Sequence, residues 1–194
     1  MKTEIEIIKL FIREKKPKTI REISRALEKD YKIIHTAVQL LVNKSIIITE
    51  TIGSSTLCRL SNNYGIEVYT AESERREKIL QNKNIEQINK EINTKIKTSF
   101  YILLLFGSYA KNKQTKNSDI DLIFISNEKD FENKVSDIIN LIPLKVHALT
   151  FTEEEFIRMN NNKELNVVKE AIENNIILYN TEGYYKIKNV VSNG

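Results

Sequence analysis

Leu105-Phe106-Gly107-Ser108-Tyr109-Ala110, followed by Ser118-Asp119-Ile120-Asp121-Leu122, is the stretch whose reading decides the fold of the second half of this chain. It reads as a buried strand, a tight Gly-Ser turn, a short helix, and then a strand carrying carboxylates at alternate positions. A strand has a period of two, so Asp119 and Asp121 are expected on one face while Ile120 and Leu122 point into the core. Two carboxylates side by side repel unless a hard cation lies between them. Mg²⁺ held by one or two carboxylates plus substrate phosphates is the usual reason for such a pair. Gly107 lets the backbone approach a phosphate, and the amides of the next helix with the Ser108 hydroxyl can donate to it. The competing local reading is a tight turn with a Ser or Asx cap at Ser118-Asp119.

The pattern of Gly-Ser, ten residues, then Asp, apolar, Asp, apolar resembles the signature of the DNA polymerase beta-type nucleotidyltransferase superfamily. The compact version here is similar to its minimal nucleotidyltransferases. The resemblance covers about residues 98 to 180 and implies that Gly107, Ser108 and Ser118 bind nucleotide. It also implies that Asp119 and Asp121 are catalytic and hold Mg²⁺ or Mn²⁺, with an NTP, expected to be ATP, as substrate. Relatives commonly have a glycine two residues after the alanine of the turn. Here Asn112 stands there, a residue that tolerates a left-handed backbone better than most.

The resemblance further implies a third carboxylate on a later strand, and Leu144–Thr150, the strand expected to supply it, has none. Alternation puts Lys145 and His147 on one face and Leu144, Val146 and Ala148 on the core face, so His147 is expected in the third acidic position. There it is a base or ligand, or else a structural histidine at the sheet end. Glu153, Glu154 and Glu155 are read as a helix start capped by Thr152, with Glu153 the first substitute acid to examine.

The remaining composition sets bounds. The chain has 194 residues, 41% of them hydrophobic, enough for one large or two small domains. No apolar run approaches the roughly 18 residues of a membrane span, and no signal-like segment opens the chain, so a cytoplasmic protein without membrane contact is expected. The single cysteine, Cys58, excludes an internal disulfide and reads as a small core residue. Residues 1–62 hold twelve Lys or Arg against seven Asp or Glu, so most of the basic excess lies at the N-terminus.

That basic segment has its own pattern. A periodic helix runs from Thr3 to about Glu14, a break follows at Lys16-Pro17-Lys18, and Thr19 with Glu22 forms a capping box for a second helix. A third helix spans about Tyr31 to Asn43 with Ile34, Val38 and Leu41 on one face. The runs Ile46–Thr51 and Thr56–Leu60 around Gly53-Ser54-Ser55 read as a hairpin. Three helices and a hairpin resemble a winged helix-turn-helix domain, which implies double-stranded DNA as partner. Tyr31, Lys32, His35, Thr36 and Gln39 would then face the major groove, with Arg21, Arg25, Lys44 and wing residues near Ser54 on the phosphates. A dimerisation or protein-docking winged helix is the alternative.

From about Glu67 to Lys97 the chain reads as a charged helical connector with an apolar stripe at Ile85, Ile88, Ile92 and Ile96. Asn160-Asn161-Asn162 marks a loop, and a helix near Glu164–Glu173 and a strand at Ile176–Tyr179 complete the domain. The expected class is therefore α+β. A winged helix of three helices plus a β-hairpin occupies 1–62, a helical connector 63–97, and a small mixed-sheet nucleotidyltransferase domain 98–194. The resemblance implies transfer of NMP to an acceptor hydroxyl by a toxin-antitoxin system's antitoxin, with a HEPN-type toxin as partner, and a homodimer is a further expectation. The rival reading is a transcriptional regulator whose transferase domain has lost catalysis and only senses nucleotide or forms an oligomer.

Overall fold

A computed structural model of the chain describes residues 2–53, 55–162 and 164–192. It is a mixed α and β protein whose contacts divide it into two compact units, Met1–Glu74 and Arg75–Gly194. The division falls inside the segment read as a connector. Ser54, expected at the tip of a wing, lies outside the described residues.

In the first unit, α1 (Lys2–Glu14) buries Ile7, Ile8, Leu10 and Phe11. The Lys16-Pro17-Lys18 break leads into β1 (Lys18–Thr19), which pairs with β3 through Lys18↔Cys58 and Thr19↔Leu57. This short strand is absent from the sequence reading, because two residues carry no periodicity. Thr19 then caps α2 (Ile20–Leu27) with the reciprocal Glu22 contacts of a capping box. Helix α3 (Tyr31–Asn43) is capped by Asp30 and turns Ile34, Ala37, Val38 and Leu41 inward. Strands β2 (Ile47–Ile52) and β3 (Ser55–Leu60) form the antiparallel hairpin, giving the sheet order β1-β3-β2. Cys58 is fully buried, and burial pushes its thiol pKa up.

The charged stretch read as one helical connector is two helices, α4 (Ile66–Ile79) and α5 (Lys83–Lys95). The break has a local cause. Asn82 accepts from the backbone N–H groups of Asn84 and Ile85, which competes with continuing the helix and caps the next one. The apolar stripe Ile85, Ile88, Ile92 and Ile96 lies in the core of the second unit.

The second unit is built on a four-stranded sheet with order β6-β5-β4-β7. Strands β4 (Ile102–Phe106) and β5 (Ile120–Ile125) are antiparallel, β6 (Val146–Phe151) runs parallel to β5, and β7 (Ile176–Tyr179) is antiparallel to β4. Between them come α6 (Gly107–Ala110), α7 (Phe131–Asn140), α8 (Glu153–Asn161) and α9 (Val167–Glu173), and α10 (Thr181–Ser192) follows β7. Helices α7 and α10 were not anticipated. Asn160 and Asn161, read as a loop, are the last turn of α8, and the helix expected from Glu164 starts at Val167 because Asn166 caps it. β5 is apolar on both faces because the sheet is covered on both; Asp121 is the exception, at its open end. Among the described residues no helix is long and apolar enough to cross a membrane.

Candidate functional site

The geometry of the Gly-Ser turn follows from strand register. Phe106, the last residue of β4, is opposite Asp121 on β5, so the chain turns directly over that carboxylate at Gly107. Gly107 has φ +67°, and a Cβ there would lie 2.1 Å from Asp121 Oδ2 and 2.9 Å from its Cγ. Only glycine accepts both the backbone angle and the neighbour. The four-residue α6 that follows buries Tyr109, and Asn112, at φ 54°, takes the left-handed conformation at its exit.

Asp119 lies one residue before β5 and is exposed, whereas the side chain of Asp121 is 25% exposed. Parallel pairing sets His147 of β6 opposite Asp121, and His147 Nδ1 is 3.5 Å from Asp121 Oδ1. Burial pushes the Asp121 carboxyl pKa up; the hydrogen bond and charge of His147 oppose this, while the negative charges of Asp119 and Glu170 add to it. Glu170, on α9, is a residue the sequence reading missed. Its Oε1 accepts from Lys111 Nζ at 2.7 Å, and Lys111 is the residue that ends α6. Nothing local signals this contact, since the two residues lie 59 positions apart.

Other candidates fall elsewhere. The Ser118 hydroxyl accepts from the Thr115 N–H at 2.9 Å and lies 3.2 Å from the Thr115 hydroxyl, closing its own loop, which is the local role the competing reading held for it. Glu153, the proposed substitute acid, is at the far end of the sheet: its N–H donates to Asn127 Oδ1, just beyond the C-terminal end of β5, whereas Asp121 is at the N-terminal end. Thr152 and Glu155 form a capping box there. The glutamate cluster is thus a helix start.

Among the described residues no group of three or more His, Cys, Asp or Glu side chains is close enough to hold a metal ion. Asp119 and Asp121 offer hard carboxylate oxygens two residues apart at the start of β5, and the charge of Asp119 adds to the effect of burial in raising the Asp121 pKa. This suits a cation that keeps part of its water shell and completes its coordination with phosphate oxygens, as Mg²⁺ does. Asp119 and Asp121 would hold it.

In the first unit, Tyr31, Lys32, His35, Thr36 and Gln39 share the exposed face of α3, and Arg21 and Arg25 are exposed on α2. The rings of Tyr31 and His35 are 6.1 Å apart. The face is less polar than its sequence suggested, because Ile33 (53%) and Leu40 (45%) are exposed on it too. Lys44 is not a free cation. Its ammonium is bonded to Glu67, which raises the Lys44 pKa and lowers that of Glu67.

Comparison with known proteins adds the family. A second family model, HVO_A0114, matches residues 2–60. No curated protein matches. A solved structure described as "Crystal structure of the toxin-antitoxin with AMP-PNP" is similar at 18% identity and a TM-score of 0.39, over 56% of this chain and 83% of that one. The family model for polymerase beta nucleotidyltransferases matches residues 86–183, half of the 194 residues, and the chain belongs to that family.

Proposed function

We propose that the second unit binds an NTP, ATP first among the candidates, with Mg²⁺ or Mn²⁺ and transfers its nucleoside monophosphate to an acceptor hydroxyl. The observation that carries this reading is the Asp121 carboxylate seated against the Gly107 turn, with Asp119 beside it. Gly107 and Ser108 offer backbone and hydroxyl groups to the phosphates, with Ser118 in the adjoining loop. Asp119 and Asp121 hold the cation, which neutralises phosphate charge. Chemistry of this kind needs little beyond positioning and charge compensation. His147 Nδ1, beside Asp121, takes the place of a third acid and can accept or hold a proton. The first unit is proposed as a winged helix that binds double-stranded DNA through α3, with Arg21, Arg25 and Lys32 as its cations. By the family resemblance alone, the acceptor is a HEPN-type toxin and this chain its antitoxin; a cytoplasmic location and a homodimeric assembly are proposed beside it.

The test is calorimetry of ATP, GTP, CTP and UTP with Mg²⁺, followed by transfer of labelled NMP to protein and RNA acceptors. Binding lost in the Asp119→Ala, Asp121→Ala double variant supports the site; equal binding by wild type and that variant refutes it. A second reading, a regulator that senses nucleotide without turnover, is favoured by the imidazole beside Asp121 where the family carries a carboxylate. It predicts nucleotide binding without transfer in any variant.

A further inference from the structure

We infer that β6 pairs with the β6 strand of a second copy of this chain, antiparallel and centred on Ala148, so that the two sheets join edge to edge. The inference gives a surface to the homodimer proposed above and rests on that reading, independently of the nucleotide site. Strand β6 is one margin of the sheet β6-β5-β4-β7. The other margin, β7, is four residues long, breaks register against β4 and is largely buried. β6 has none of these protections. Its six residues, Val146-His147-Ala148-Leu149-Thr150-Phe151, hold unbroken register with β5, include no Lys, Arg, Asp, Glu or Pro, and are exposed or half-buried. Natural edge strands are blunted by charge, proline, bulges or a covering element, and an edge without them is a template for a further strand.

Backbone direction fixes the register. The Ile120 N–H donates to the Lys145 carbonyl and the Ser126 N–H to the Phe151 carbonyl, so the odd-numbered residues of this strand face β5. Val146, Ala148 and Thr150 therefore turn their N–H and C=O groups outward, and among the described residues nothing bonds to them. A two-fold axis normal to the sheet keeps facing side chains on one side of it, so the axis must pass through a residue position. Centring on Ala148 sets Ala148 against itself and Val146 against Thr150 of the second copy, and every outward group is paired. Centring on Leu149 would bring Val146 to Thr152, whose N–H is already held by Glu155. Centring on His147 would bring Thr150 to Leu144, before the strand begins.

Charge identifies the occupant as the same strand. Exposed Lys145 precedes β6 and exposed Glu153 follows it, at the first position of α8, and neither side chain has a partner among the described residues. Antiparallel pairing about Ala148 sets Lys145 opposite Phe151 of the second copy and diagonal to its Glu153, within reach of two long side chains. The two-fold axis repeats this ion pair at the other end, whereas a parallel arrangement would place like charges together. The same register puts Leu149 of the second copy opposite His147, which itself lies opposite Asp121, so the interface adjoins the candidate site.

The test is sedimentation equilibrium of the full chain over a concentration series, with amide hydrogen exchange followed by NMR at both ends of the series. Wild type should dimerise. The Val146, Ala148 and Thr150 amides should be protected in the dimer and exchange freely in the monomer, while those of His147 and Leu149, bonded to β5, stay protected in both. Lys145→Glu and Glu153→Lys should each weaken the dimer by about tenfold or more, and the charge-swapped double variant should recover most of that loss. Ala148→Pro removes an outward N–H and no bond to β5, and should leave a monomer whose protected His147 and Leu149 amides show it folded. A chain monomeric at every concentration overturns the inference and the homodimer reading together. A dimer that ignores the charge substitutions, or whose Val146, Ala148 and Thr150 amides exchange as fast as in the monomer, assembles through another surface and overturns the inference alone. A double variant no tighter than its single parents does the same.

Discussion

Replacing Gly107 by alanine tests the seating of Asp121 on the turn directly. The added Cβ meets two separate obstacles. At φ +67° an L-residue is in the left-handed region, which costs about 1–2 kcal/mol. The Cβ would also lie 2.1 Å from Asp121 Oδ2 and 2.9 Å from Cγ, so the carboxylate must leave its position. Displacing it against the surrounding turn adds on the order of 1–2 kcal/mol, for a total of about 2–4 kcal/mol. For a unit of this size that lowers the melting temperature by roughly 4 °C per kcal/mol, or about 8–16 °C. A double-mutant cycle separates the two contributions. In an Asp121→Ala background the carboxylate is gone and only Asp121 Cβ, at 3.2 Å, still crowds the new methyl. Gly107→Ala should then cost little more than its backbone angle, with a coupling of about 1–2 kcal/mol between the sites. Calorimetric melts of the four proteins, with exchange protection of β4 and β5 amides to assign the transition, give the number. If the two substitutions add to within about 0.5 kcal/mol, the carboxylate does not press on the turn and the account of Gly107 is wrong.

The raised Asp121 pKa predicts that this residue opposes folding at neutral pH. A carboxyl whose folded pKa lies above its unfolded value contributes stability at low pH and loses it as pH rises through the folded value. Asp121→Asn should therefore melt above wild type at pH 7, with the gap closing toward about pH 4 as the unfolded carboxyl also takes up its proton; a lower melting temperature for Asn at pH 7 would contradict the assigned burial and charge effects. In fluorescence anisotropy the DNA affinity of the full chain should fall with salt at a logarithmic slope of roughly −0.9 per phosphate contact. Arg21→Glu, Arg25→Glu and Lys32→Glu should each weaken it, whereas Lys44→Gln should do little because Glu67 already holds that ammonium; a loss at Lys44 as large as at Lys32 would refute this ranking. For His147, a working base or ligand predicts an Ala variant slower in NMP transfer by about 10²-fold or more, while lapsed catalysis predicts that His147→Asp raises transfer above wild type; equal rates in all three forms would remove His147 from the site.

Much of the first unit is legible because its signals are local. Thr19 and Glu22 are three residues apart and form the capping box their spacing announces, and Ile34, Val38 and Leu41 lie on the buried face of α3 as a period of 3.6 requires. The same logic explains a failure. Ile85 to Ile96 follow helical spacing, but the sequence between Glu67 and Lys97 contains neither Gly nor Pro, and an Asn cap is a weaker stop signal. The interruption at Asn82 is visible only once its side chain is seen accepting from Asn84 and Ile85. Helix α7 does carry a sequence signal, since Phe131, Val135 and Ile138 recur at four and three residues and all are buried.

The candidate site divides along the same line. Gly107, Asp121 and His147 can be found from sequence because strand alternation and the spacing of the motif fix them, and the register Phe106↔Asp121↔His147 across β4, β5 and β6 then brings them together. The use of Gly107 differs from its sequence reading, in which the missing side chain makes room for a phosphate; here the space a Cβ would fill is already taken by the Asp121 carboxylate. Glu153 illustrates the opposite limit. It follows the His147 strand closely in sequence, but β6 runs parallel to β5, so every step past His147 moves away from Asp121 and Glu153 ends beside Asn127. Glu170 is distant in sequence yet its charge reaches Asp121, because α9 buries Val168 and Ala171 and carries Glu170 to Lys111 at the end of α6. Proximity along the chain is thus a poor guide to the charges around a strand end. Direction of the neighbouring strand and the packing of a later helix decide them, and neither is encoded in the spacing of the motif itself.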